Sequence, residues 1–323
     1  MSADIPIYVH SVSYELGEIV EPISEIPDLK EDTVSLESFL ALGLSELRRT
    51  DRVPAELARA CCERSLQAAR LRGADIDTII YASETLLEKR YYAFDTKQFC
   101  CDMELSRAFP MGLFGSECAN AQTGMQLAAD MIRAGRAHNI LLVTTDLIPE
   151  HKGFSRVWPN VTVLSDAACS CIISDTAPAQ GYELLSTAFW TNPALWNIDL
   201  SVKLLEYFKG IAQGVKRVGA DVLKLAKGGE VSREQVQHVL VNNYNLSVVR
   251  TFVSQMGFEL SQAYLKNLPR FAHSFAADGL INLTDLVSTG KVAPGHHCIL
   301  LGSGTTAWAA SLVKRIDGEV KVN

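Results

Sequence analysis

Cys118 is the residue whose type and setting most readily support covalent chemistry. It follows Gly115-Ser116-Glu117 and stands where a helix over residues 120–134 is predicted to begin. Backbone N–H groups and the helix dipole lower a thiol's pKa at such a position, which would make Cys118 a thiolate nucleophile. The alternative is an inert buried thiol, the usual state of a free cysteine. His273 lies 155 residues further on and is either a base for that thiol or a helix-start histidine. Asn242, taken alone, reads as a polar strand-end residue bonded to neighbouring backbone. The other cysteines are Cys61-Cys62, Cys100-Cys101, Cys169, Cys171 and Cys298. None forms a Cys-x-x-Cys, so no metal site is expected, and a chain of this size in a reducing compartment needs no disulfides. His238, His296 and His297 flank strand patterns and read as structural.

Alternating helical and strand patterns must position these groups. Helical spacing from Pro54 runs to a break at Gly73, then to a strand over residues 78–82. The layout repeats as turn, helix, Gly135 and the strand NILLVTT, followed by the strand pattern VTVLSDAACSCIIS. Residues 176–202 are irregular, contain Pro178, Pro193 and two tryptophans, and are expected to be a linker or insertion. After a helix over residues 203–227, the same order of turn, helix, glycine stop and strand returns, with Gly290 in the place of Gly135. The offset is again 155, which is either chance matching of amphipathic helices or, as the pattern favours, a duplicated α/β unit with buried, mostly parallel sheets: one half over residues 1–175, the other over 203–323.

Composition narrows the class. The chain has 323 residues, 48% hydrophobic and 21% charged, with 30 Lys+Arg against 37 Asp+Glu and a net charge of −7. These values fit a globular domain with a substantial core and exclude disordered or collagen-like classes. An acidic balance argues against general nucleic-acid binding. No apolar run reaches the roughly 18 residues of a membrane span, and the start of the chain carries acids early with no cationic, apolar leader. A cytoplasmic protein without membrane attachment is expected. Against the acidic background, residues 203–227 carry six cations and two acids. That is either a solvated helix face or a patch for an acidic partner.

The motifs then carry a resemblance. GSECANAQTGMQLAADMIRAGRAHNILLVTTD resembles the nucleophile segment of ketoacyl-acyl carrier protein synthase III and its relatives in the thiolase superfamily. VTVLSDAACSCIISD is similar to the family's G-D-G-A-G-A strand, VLVNNYNLSVV to its H-Q-A-N-L segment, FAHSFAADG to G-N-T-S-A, and LLGSGTTAWAASLVKR to G-G-G-F-T-W-G-A-S-L-V. The five occur in order over nearly the whole chain. The resemblance implies a thiolase-like fold, two duplicated α/β halves in a five-layered αβαβα arrangement, and a homodimer. It implies Cys118 as acyl acceptor, backbone N–H groups of Cys118 and Ser303 as oxyanion donors, and no cofactor beyond phosphopantetheine or coenzyme A thioester substrates. Asn242 stands where synthase III has histidine, and His273 where it has asparagine, an exchange similar to the Asn-then-His order of thiolases. His273 would be the base, and Asn242 and His273 together would bind an enolate oxygen. The second thiolase cysteine is matched by Leu300, with Cys298 two residues earlier, and the coenzyme A pocket motif is reduced to FLALGLSELRR. Carrier-protein thioesters are therefore the expected substrates, with Lys209, Lys216, Arg217 and Arg250 as acyl carrier protein contacts. The expected reaction is Claisen condensation in a fatty acid or polyketide type of specialised metabolism. The alternatives are acyl transfer to an oxygen, nitrogen or sulfur acceptor, and a non-catalytic subunit of a heterodimer.

Overall fold

The structure is a computed structural model that describes residues 5–85, 96–148 and 154–317. The outermost residues of the two expected halves, 1–4 and 318–323, lie outside these. The N-terminal half comprises β1 (Tyr8–Leu16), β2 (Ile19–Pro22), α1 (Pro27–Glu31), α2 (Thr33–Ala41), β3 (Glu46–Arg49), α3 (Pro54–Ala69) and β4 (Thr78–Ala82). It continues with α4 (Thr96–Asp102), β5 (Phe109–Leu113), α5 (Asn120–Arg133), β6 (Asn139–Asp146), β7 (Val157–Trp158), β8 (Thr162–Val163) and β9 (Ala167–Ser174). The C-terminal half holds β10 (Gln180–Thr191), α6 (Leu200–Lys224), β11 (Val236–Leu240), α7 (Leu246–Gln255), α8 (Leu268–Phe271), α9 (Asp278–Ser288), β12 (His297–Ser303) and β13 (Ala307–Asp317).

Nine strands join in the order β11-β12-β13-β10-β1-β9-β6-β4-β5. The duplication is visible in this order. From the first half, β4-β6-β9-β1 runs through one parallel and two antiparallel pairings, and β11-β12-β13-β10 repeats the same sequence of senses. The halves meet where β1 and β10 pair at Tyr8–Glu183 and Val9–Tyr182.

Two expectations are corrected here. Residues 176–202 are no linker, because 12 of them form β10, which pairs with β13 from Gln180 to Thr191. Its prolines, Pro178 and Pro193, lie just outside the strand, where a missing N–H costs no ladder bond, and residues 181–189 are largely buried. The sheet is also mainly antiparallel. Among the described residues only β4/β5, β4/β6 and β11/β12 are parallel, because short connections such as the Gly304 turn between β12 and β13 reverse the chain.

Two helices carry the turns that hold Cys118 and His273. α5 buries Ala121, Met125, Ala128, Ala129 and Ile132, and α9 buries Leu280, Ile281, Leu283 and Leu286. Their apolar residues share one core cluster with strands of both halves. Each helix is stopped by a glycine in the left-handed region, Gly135 at φ +67° and Gly290 at φ +71°. Close packing fixes their N-termini: a Cβ on Gly302, at the end of β12, would stand 2.6 Å from Ala119 Cα and 2.7 Å from the Cys118 carbonyl oxygen.

That contact yields a prediction. Gly302→Ala is expected to destabilise the protein by about 1–3 kcal/mol through overpacking, read as a lower denaturation midpoint. Gly115→Ala, with nothing within 4 Å of the added carbon, is the near-neutral control.

Candidate active site

Each of the two duplicated turns presents one reactive side chain. Cys118 lies in a single 3₁₀ turn, Glu117–Ala119, that feeds α5, and His273 lies just before the turn Phe275–Ala277 that feeds α9. The residues preceding them, Glu117 and Ala272, adopt φ +51° and +50°. Left-handed backbone at a non-glycine residue costs on the order of 1–3 kcal/mol and persists only where the surroundings enforce it. Here Glu117 is clamped by Thr305, whose Oγ1 donates to Glu117 Oε1 at 2.7 Å and whose N–H donates to the same carboxylate. His273 is held by its N–H on the Val163 carbonyl and by its own carbonyl, which accepts from the Ser165 N–H. Ser165 precedes Asp166, which receives both terminal nitrogens of Arg156 at 2.9 Å in a fully buried ion pair.

The two turns face one another. Cys118 Sγ and His273 Nε2 are 3.3 Å apart, and His273 Nδ1 is 2.5 Å from Asp278 Oδ2. All three residues are buried, His273 and Asp278 completely. Asp278 also accepts from the Ser274 N–H at 2.8 Å, the Asn243 N–H at 2.8 Å and Asn243 Nδ2 at 3.1 Å. With a carboxylate on Nδ1, that nitrogen carries the proton and Nε2 offers its lone pair to the thiol. Tyr244 packs edge-on against the imidazole at a centroid distance of 4.8 Å. Its hydroxyl donates to the Ser303 carbonyl at 2.5 Å.

The sequence-derived expectations fare unequally against this geometry. The expected pair of Cys118 and His273 is brought together. Asn242 is adjacent but occupied: its Nδ2 donates to the Phe275 carbonyl at 3.1 Å and its Oδ1 accepts the Ser303 N–H at 2.9 Å. It therefore ties the end of β12 to the His273 turn, and these two bonds leave one Nδ2–H of Asn242 over. The Ser303 N–H, expected to hold an oxyanion, is the one that Asn242 Oδ1 takes. The Cys118 thiol is not depressed by its helix start. Burial, followed by the nearby carboxyl groups of Glu84, Glu117 and Asp278, pushes it well above the ordinary thiol range. Attack by this sulfur would require removal of its proton, and His273 Nε2 is the base within reach.

Asp278, Tyr244, Glu117 and Glu84 were not singled out by sequence. Asp278 was legible in principle as the first acid of a helix five residues after His273, but such residues commonly serve only as N-terminal caps. Among the described residues no cluster of three or more His, Cys, Asp or Glu is arranged to hold a metal ion, and all eight cysteines are free thiols. No helix among them is long and apolar enough to cross a membrane. Lys209, Lys216, Arg217 and Arg250 are exposed, the first three on α6 and Arg250 on α7, which packs against it. Arg217 bonds Asp221 at 2.7 Å and lies over the Trp190 ring. Beneath, a cleft of about 400 Å³ is lined by Gly115, Ser116, Ala119, Phe189, Trp190 and Trp308, beside the nucleophile turn.

Comparison with known proteins agrees with this layout. The family model described as 3-oxoacyl-[acyl-carrier-protein (ACP)] synthase III matches residues 114–193, and that of its C-terminal part matches residues 226–316, together more than half of the chain. A beta-ketoacyl-[acyl-carrier-protein] synthase III of Vibrio vulnificus is 24% identical over 294 residues, covering 83% of this chain and 78% of its own. The mycobacterial enzyme of that name from Mycobacterium tuberculosis is 24% identical over 289 residues, covering 83% of each. Among solved structures, 3-oxoacyl-[acyl-carrier-protein] synthase III from Aquifex aeolicus superposes with a TM-score of 0.78 at 18% identity, over 95% of this chain and 99% of the other. The acyltransferase ChlB3 superposes with a TM-score of 0.81 at 17% identity, over 96% and 98%. The fold is thus thiolase-like, with two duplicated α/β halves, and the chain belongs to the ketoacyl synthase III-like members of the thiolase superfamily.

Proposed function

We propose that the protein is an acyltransferase that takes an acyl group from a thioester onto Cys118 and passes it to an oxygen, nitrogen or sulfur acceptor, forming no carbon–carbon bond. The observation that carries this reading is the continuous chain Cys118 Sγ, His273 Nε2, His273 Nδ1, Asp278 Oδ2. It has the connectivity of a nucleophile, base and orienting carboxylate. In the loading half-reaction the thiol proton passes to Nε2 and the sulfur pair bonds the acyl carbon. The donor's thiolate then leaves and recovers the proton from Nε2. In the second half the acceptor's O–H, N–H or S–H gives its proton to Nε2, its lone pair attacks the thioester, and Cys118 leaves as the thiol. Asp278 stabilises the imidazolium that exists between these transfers.

Claisen condensation is the second reading, favoured by the names of the Vibrio and Mycobacterium relatives. It calls for two donors to an enolate oxygen: Asn242 has one Nδ2–H left after its bonds to Phe275 and Ser303, whereas His273 Nε2 carries no proton in the tautomer that Asp278 sets. We assign the donor as a phosphopantetheine thioester on an acyl carrier protein, or on coenzyme A. The exposed cations of α6 and Arg250 suit an acidic carrier, and the aromatic cleft beside the nucleophile turn suits an apolar acyl chain. A cytoplasmic homodimer in specialised metabolism completes the proposal. β5, a sheet edge with an exposed Phe109, supports pairing with a second copy.

Three outcomes are expected. Intact mass should rise by one acyl group on incubation with an acyl-carrier thioester and stay unchanged in Cys118→Ala. Later addition of an alcohol or amine should discharge the acyl group as an ester or amide. Release of carbon dioxide with a ketoacyl product from a malonyl-carrier would instead favour condensation. Asp278→Asn should slow loading about a thousandfold or more by presenting the wrong imidazole tautomer. Asp278→Ala should in addition cost about 3–5 kcal/mol of stability, since it strands buried donors. Lys216→Glu with Arg217→Glu should raise KM for the carrier-borne thioester several-fold, with a steep salt dependence. The KM for a free pantetheine thioester should not move.

A further inference from the structure

The sulfur of Cys118 has a second polar neighbour that acyl transfer as written leaves unused. Glu84 lies just past the end of β4, and its Oε2 is 3.3 Å from Cys118 Sγ, the same separation as His273 Nε2. A thiol has one proton and donates it once. Because His273 Nδ1–H is committed to Asp278, Nε2 is the acceptor for that proton. The Glu84 contact is then attractive only when the carboxyl itself is protonated, since two bare acceptors at this distance repel.

The surroundings enforce that state. The turn carrying Glu84 is pinned by Asp146 at the end of β6, whose Oδ1 accepts from the Glu84 N–H at 2.8 Å, the Thr85 N–H at 2.9 Å and Ser83 Oγ at 2.9 Å. Among the described residues, the charged and titratable groups facing Glu84 are Asp146 from β6, Glu117 and Cys118 from the turn before α5, and, across the sulfur, His273, Asp278 and Tyr244. Burial first, then the charges of Asp146 and Glu117, raise the Glu84 carboxyl to about 8, against an opposing hydrogen bond with Cys118.

We propose that Glu84 is a catalytic residue kept protonated, whose O–H supports the Cys118 sulfur while negative charge develops there, and whose ionisation suppresses the nucleophile. During attack the thiol proton goes to His273 Nε2, the sulfur pair forms the new bond to carbon, and Glu84 shares its proton without losing it. The sign of the pH effect follows. Below about pH 8 the donor is present. Above it, a carboxylate stands against the sulfur, so reactivity that should climb with pH for a simple thiol levels off or falls.

The inference rests on Cys118 being the nucleophile but not on which acceptor follows. Its test is therefore alkylation of Cys118 by iodoacetamide, in which sulfur displaces iodide, followed by peptide mass across roughly pH 6 to 10. Wild type should show the alkaline levelling by itself. Glu84→Gln, whose N–H is a weaker donor that cannot ionise, should react more slowly than wild type at neutral pH and exceed it at the alkaline end, by about tenfold where one pH unit above the carboxyl's pKa leaves a tenth of the wild-type donor. Glu84→Ala should be slower than Glu84→Gln at neutral pH. A wild-type rate that climbs monotonically, or wild-type and Glu84→Gln curves that superimpose, would overturn the proposal. A protein that shows the expected profile yet never transfers an acyl group would contradict the acyltransferase reading alone.

Discussion

A buried carboxylate surrounded by donors, Asp278, is the constraint on which the rest of the site depends. Taking such a charge out of water costs several kcal/mol unless its lone pairs are satisfied. Here they accept from His273, Ser274 and both nitrogens of Asn243. Behind Asn243 the satisfaction continues: Asn282 donates to Asn243 Oδ1 at 2.9 Å, and Asn267 donates to Asn282 Oδ1 at 2.9 Å. A fully paired buried network of this kind admits one arrangement, because any slip leaves an orphaned polar atom. That rigidity fixes the imidazole tautomer and aims Nε2 at the nucleophile.

The network acts on Cys118 because the chain has used one device twice. In both halves a strained, left-handed residue precedes the reactive side chain, a 3₁₀ turn contains or soon follows that side chain, and a buried helix leads to a left-handed glycine. The half supplying Cys118 and the half supplying His273 are thus equivalent scaffolds carrying different chemistry. Their helices share a core cluster, and the contact of Gly302 with the Cys118 turn leaves no room for a side chain. The energy stored in two unfavourable φ angles is offset by this packing and by the clamp of Glu117 on Thr305.

Much of the fold was legible because duplication is written in spacing. The offset of 155 residues between Gly135 and Gly290 reappears as equivalent helix stops, and between Cys118 and His273 as the thiol–imidazole contact. β10 was misread because its flanking prolines and tryptophans look irregular locally, whereas its strand character comes from pairing with β13, more than 100 residues away. Antiparallel pairing was hidden for the same reason, since it depends on which distant strand a segment meets. The site was half legible. Cys118 and His273 stand out as singular residues in singular turns. Asp278 looked like a helix cap, Glu84 like a loop acid, and Asn242 like a donor, because a side chain's role depends on partners remote in sequence: Ser303 and Phe275 for Asn242, and Cys118 and Asp146 for Glu84.

The central claim is that Asp278 fixes His273 with its proton on Nδ1 and its lone pair on Nε2, facing Cys118. Nitrogen-15 NMR of histidine-labelled protein at neutral pH, with His273 assigned by comparison with a His273→Gln variant, reads this directly. The account predicts a pyrrole-like, protonated Nδ1 and a pyridine-like Nε2 for His273. A pyrrole-like Nε2 with a bare Nδ1 would contradict it.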